Sequence, residues 1–85
     1  MEDLEKSGSD VLIQLVTMEM PFGKFKGTLL CDLPVFYLEW FQRTGFPQGK
    51  MGTLLATMYE IKMNGLEYLL LPLKAKFPKT KMSNL

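Results

Sequence analysis

The sequence predicts an α+β domain: an N-terminal helix, a small β-hairpin, two packed helices and a C-terminal apolar segment. Three observations carry that prediction. Apolar residues recur at helical spacing in Val11–Met18 and again in Met51–Ile61. The stretch Met20–Gly27, reading Met-Pro-Phe-Gly-Lys-Phe-Lys-Gly, lies between two apolar stretches, so it reads as an ordered turn rather than a linker. Gly45 and Gly65 each follow a helical pattern where a left-handed cap residue is needed.

In chain order, residues 1–9 are polar and acidic and read as a flexible arm, and residues 10–73 form the compact domain. Ser9 is placed to cap a helix from Asp10 to about Glu19, with Asp10 favourable in its first turn. Pro21 stops that helix by forcing residue 20 out of the helical region. Met20-Pro21-Phe22 then reads as a short edge strand, Gly23–Gly27 as the turn and Thr28–Cys31 as the returning strand. Asp32 is the expected cap of a helix over Pro34–Thr44, since proline is tolerated in a first turn. That helix carries Phe36, Tyr37, Leu38, Trp40 and Phe41 and is apolar around most of its circumference. It therefore reads as a central buried helix, with Trp40 in the core. A further helix from Gly49 to Asn64 bears the stripe Met51, Leu54, Leu55, Met58 and Ile61. Leu66–Leu73 reads either as a short helix or as an extended segment on the core, ended by Pro72. Residues 74–85 hold four lysines and no acid and read as a mobile basic tail.

Composition narrows the function classes. Hydrophobic residues make up 47% of the chain, too many for a disordered one. With no histidine and a single cysteine, the chain holds neither an internal disulfide nor the usual zinc sets, so no metal or cofactor is expected. The acidic N-terminus is not a secretory signal, and Leu66–Leu73 is too short to span a bilayer, so a cytoplasmic protein is expected. Residues 1–19 carry five acids against Lys6, whereas residues 20–85 carry nine cations against four acids. A basic body of this kind suits an anionic partner.

No enzyme is expected. Without histidine the Ser-His and Cys-His arrangements cannot be built. Asp32 and Glu39 have ready roles as cap and surface charge, and Cys31 reads as a small buried residue. Gly23–Gly27 lacks the ending of a phosphate-binding P-loop. It does set Lys24 and Lys26 on either side of Phe25, a pattern suited to phosphate contact and base stacking. The competing reading makes Phe25 a core anchor and the lysines solvated charges.

Met20–Gly27, Asp32-Leu33-Pro34, Tyr37-Leu38, Trp40-Phe41, Gly45–Pro47, Gly49, Tyr59-Glu60 and Asn64-Gly65 together resemble a small bacterial family, the quorum-sensing-regulated virulence factors. The resemblance covers roughly Met20 to Leu73 and marks Gly23, Gly27, Pro34 and Trp40 as motif residues. Phe22–Gly27 with Pro34, Tyr37 and Trp40 is also similar to a shorter module at the C-terminus of exonuclease X-like enzymes. That second resemblance implies a nucleic-acid accessory role with Lys24, Phe25 and Lys26 as contacts. Two functions are thus expected: a non-enzymatic nucleic-acid-binding module, or a protein-interaction or homodimerisation module. The second would use Leu66–Leu73 and the acidic helix.

Overall fold

The computed structural model describes the backbone of residues 2–77 and the side chains from Asp10 to Phe77. Among the described residues it is helical throughout: α1 (Glu2–Thr17), α2 (Val35–Thr44), α3 (Lys50–Met63) and α4 (Leu71–Lys76), with short 3-10 helices at Leu30–Asp32 and Glu67–Leu70. The expected α+β class is therefore wrong, and its hairpin is replaced by a wide loop.

The cause is local. A single antiparallel bridge, Glu19 to Leu29, joins the two arms. The Met20 and Leu30 amides donate to Thr28 O and Met18 O at 2.8 and 3.0 Å, and the Gly27 amide donates to Met20 O. Pro21 has no amide to extend the ladder. Beyond it the chain coils, with Lys26 N–H bonded to Gly23 O and Thr28 N–H to Phe25 O. The returning arm enters the 3-10 helix at Leu30, leaving no room for a strand.

α1 starts at Glu2 rather than at Asp10, so the backbone at Ser9 lies inside the helix and not at its cap. Leu15 and Val16 are its fully buried residues. The helix stops at Thr17, just ahead of Pro21. Asp32 does not cap α2; Pro34 holds the cap position with extended dihedrals, and its carbonyl accepts from the Tyr37 and Leu38 amides. Gly45, at φ 112°, ends α2 as expected, and Phe46 stacks on Phe41 with ring centroids 6.0 Å apart.

α3 buries Leu54, Leu55, Met58 and Ile61, while Met51 is half-buried. It closes in the predicted way. The Leu66 amide bonds to Ile61 O and the Gly65 amide to Lys62 O, the paired bonds of a Schellman motif. Gly52 sits where its helix crosses the preceding turn, and a Cβ there would collide with the Pro47 carbonyl.

Pro72 occupies the first turn of α4 and starts this helix rather than ending the segment, because a first-turn residue needs no amide partner. Residues 74–76, expected in a tail, belong to α4; the rest of that tail, beyond Phe77, lies outside the described residues. The helices close around Leu15, Met20, Leu30, Leu33, Leu38, Leu54, Leu55 and Met58, all at most 1% exposed. Trp40 is not in this core. No described helix is long and apolar enough to cross a membrane.

Candidate functional site

The 21–28 loop and α2 flank an open groove of about 610 Å³. The loop contributes Phe22, Gly23 and Lys24, and α2 contributes Phe36, Tyr37, Glu39, Trp40, Phe41 and Arg43. The groove owes its chemistry to helical spacing. Phe36, Trp40 and Arg43 stand four and then three residues apart, on one face of α2. Tyr37, Leu38 and Phe41 fall on the buried side. Phe36 is 58% exposed, Trp40 46% and Phe22 43%. Large rings seldom cluster at the surface of a monomer without a partner.

The rings are held in place from behind. Phe41 meets Trp40 edge-on at 5.0 Å between centroids, and Tyr37 lies parallel to Trp40 at 6.3 Å. Phe25 is half-buried and packs edge-on against Tyr37 at 4.7 Å and Phe36 at 6.0 Å. Phe25 thus supports the groove from beneath and is not among its lining residues. Burial pushes the Tyr37 hydroxyl above its ordinary value of 10.0.

Lys24 lines the groove, with Nζ 5.8 Å from the Phe25 ring and 6.0 Å from the Phe36 ring. It lies within cation–π range of both. Lys26 is exposed but does not line the groove. Gly23 is required by geometry twice over. Its φ is +80°, and a Cβ there would come within 2.8 Å of Tyr37 Oη. Gly27, at φ +91°, has open space around it, so only its dihedral demands glycine. Pro34 positions the start of α2.

The structure therefore brings Lys24 to the aromatic groove, puts Phe25 under it and leaves Lys26 outside. Sequence reasoning missed Phe22, Phe36, Glu39 and Arg43 and assigned Trp40 to the core. The available signal was the Phe36-x-x-Glu39-Trp40-x-x-Arg43 pattern, which sets a charged pair on the same helical face as two rings.

A smaller cavity of about 220 Å³ is lined by Cys31, Asp32, Lys62, Glu67, Leu70 and Lys74. Its charges are internally matched: Lys62 pairs with Glu67 at 2.7 Å and Lys74 with Asp32 at 3.2 Å. The Cys31 thiol donates to Asp32 Oδ1 at 3.8 Å. Burial, and then the nearby Asp32 charge, push the thiol above its ordinary value of 9.0. A thiol held protonated is a poor nucleophile. Asp32 and Glu39 lie in different cavities, so they form no carboxylate pair.

Residues 8–73 match the family described as "putative quorum-sensing-regulated virulence factor". The chain is 50% identical over 64 residues to "Uncharacterized protein YpeB" of Escherichia coli strain K12, covering 74% of this chain and 89% of that protein. The protein of the same name from Escherichia coli O157:H7 matches with the same identity and coverage. No solved structure matches the chain. The family match takes in every residue that lines the aromatic groove. On this match and on that identity, the chain belongs to the quorum-sensing-regulated virulence factor family.

Proposed function

We propose that the protein is a non-enzymatic module that binds single-stranded nucleic acid in the groove between the 21–28 loop and α2. The observation that carries this reading is the exposed aromatic face of Phe36 and Trp40, with Lys24 and Arg43 lining the same groove. Stacking on exposed rings accepts any base, and adjacent cations hold the phosphates. A duplex hides its base faces, so a stacking groove favours single strands.

The test is an amide-shift titration by NMR with a short single-stranded oligonucleotide, at low and at moderate salt. Shifts should cluster on Phe22–Gly27 and Phe36–Arg43 and shrink as salt rises. Lys24→Glu combined with Lys26→Glu should abolish binding without unfolding the chain. Absence of shifts at low salt, or unchanged binding in the double variant, overturns the proposal.

A second reading rests on the opposite end of the chain. Tyr68, Leu69 and Leu71 are exposed on and beside the second 3-10 helix, at 61%, 44% and 62%. These apolar side chains suit a homodimer contact. Sedimentation equilibrium should then give a concentration-dependent dimer that Leu71→Glu dissociates. A strict monomer at high concentration counts against it.

A further inference from the structure

We infer that the groove selects guanine over thymine or uracil, and that Glu39 reads the base. This inference rests on the groove being the nucleic-acid site proposed above.

Among the described residues, Glu39 is the one carboxylate that lines the groove. It is half-buried, between the exposed rings of Phe36 and Trp40 in sequence and on α2. Among the described residues its carboxylate makes no hydrogen bond and no ion pair; the two side-chain ion pairs there are Lys62–Glu67 and Lys74–Asp32. Arg43 stands one helical turn on, a spacing that commonly pairs, yet it does not engage Glu39. A groove-lining residue whose carboxylate has no protein partner keeps its acceptor oxygens free for a ligand.

What it can accept is restricted. It repels phosphate, so the backbone of a bound strand must follow Lys24 and Arg43 and turn its bases toward Glu39. A carboxylate takes only donors, and it takes two adjacent donors best. The Watson–Crick edge of guanine presents N1–H and N2–H side by side. Cytosine and adenine each offer an amino group beside an acceptor. Thymine and uracil offer a single N3–H between two carbonyl oxygens, which face the carboxylate unfavourably. That edge is open to a protein only in an unpaired strand, which agrees with a stacking groove.

The test uses the full chain and three seven-nucleotide oligonucleotides: oligo-dT, oligo-dT with one central guanine, and the same with central hypoxanthine, which lacks the N2 amine. Trp40 is the only tryptophan, so its fluorescence reports on the groove directly. The guanine oligonucleotide should bind about tenfold more tightly than oligo-dT, as a two-bond base contact allows, with hypoxanthine in between. Glu39→Gln should erase the preference, so that the guanine oligonucleotide and oligo-dT bind alike. Equal affinity for guanine and thymine in the unaltered protein overturns the inference and leaves the groove as a binding site. A preference that survives in Glu39→Gln overturns the role of Glu39. Failure to bind any of the three removes the inference together with the groove reading.

Discussion

Trp40 lies beside Tyr37 and against Phe41 and leaves close to half of its surface to solvent. Removing the ring should therefore cost less than emptying a fully buried site, about 1–3 kcal/mol for the half of its surface that is covered. Trp40→Ala should melt below the parent yet remain cooperatively folded at about 20 °C, and there lose most oligonucleotide binding, when calorimetry is set beside an NMR titration. Cys31 acts through protonation instead. Its thiol stays protonated in the folded chain beyond its ordinary value of 9.0, with burial as the first cause. The unfolded thiol ionises at that ordinary value, so above it the unfolded state binds fewer protons and gains ground. The stabilising contribution is whole below pH 9 and is lost as pH rises through the folded value. Tyr37 and Lys74 carry the same sign from 10.0 and 10.5, through burial and through the Asp32 hydrogen bond respectively. Melting temperature should fall from about pH 9 upward, and Cys31→Ala should flatten the first part of that fall. An identical pH profile in Cys31→Ala would assign the loss elsewhere. At this scale the exposure of Lys24, the positive φ of Gly23 and the burial of Cys31 were legible in the sequence. The exposure of Phe36 and Trp40 was not, because an aromatic binding face and an aromatic core face have the same composition and period.

The C-terminal ends of α2 and α3 were readable, whereas the starts of α1 and α4 and the cap of α2 were not. Gly45 and Gly65 close α2 and α3 where the sequence placed them, since a positive φ after an apolar stripe has few residues that can supply it. The hairpin failed for the converse reason. Alternating and β-branched residues are what hold a ladder, and Met20–Cys31 offers a proline and a run of tight turns instead. Pro72 was misread because proline both ends and begins helices, and only the neighbouring 3-10 turn decides which. The crossing at Gly52 gives an element-scale prediction. Alanine has the higher helix propensity, but its methyl group would meet the Pro47 carbonyl in a buried contact. The start of α3 must shift to admit it, so Gly52→Ala should destabilise the fold by about 1–3 kcal/mol. Urea unfolding measures this directly, and a neutral or stabilised variant would mean that the turn yields freely.

As a whole molecule, the chain joins distant segments through side chains rather than through a sheet. α1 packs against α3, α4 and the first 3-10 helix, while α2 lies along α3. The Lys74–Asp32 pair ties residues 42 positions apart, although both side chains are partly exposed and such a pair is worth only about 0–1 kcal/mol. Far-UV circular dichroism should show helix without a strand component, and unfolding by urea should follow one transition whether read by that signal or by Trp40 fluorescence. Two separated transitions would mean that the groove loop opens independently of the core. The global class was the least legible level, because it turned on one segment of about ten residues in which Pro21 and the 3-10 helix at Leu30 leave a single bridge where a hairpin was expected.

The tight fit at Gly52 has a use in genetics. It lies outside the groove lining, so Gly52→Ala should lower the amount of folded protein while keeping the groove residues of the surviving molecules. A strain carrying it should behave as a temperature-conditional allele, sound when cool and null when warm. Set beside a Trp40→Ala strain, it separates two meanings of a lost phenotype. A defect present at every temperature in Trp40→Ala, but only on warming in Gly52→Ala, belongs to the groove and not to protein abundance.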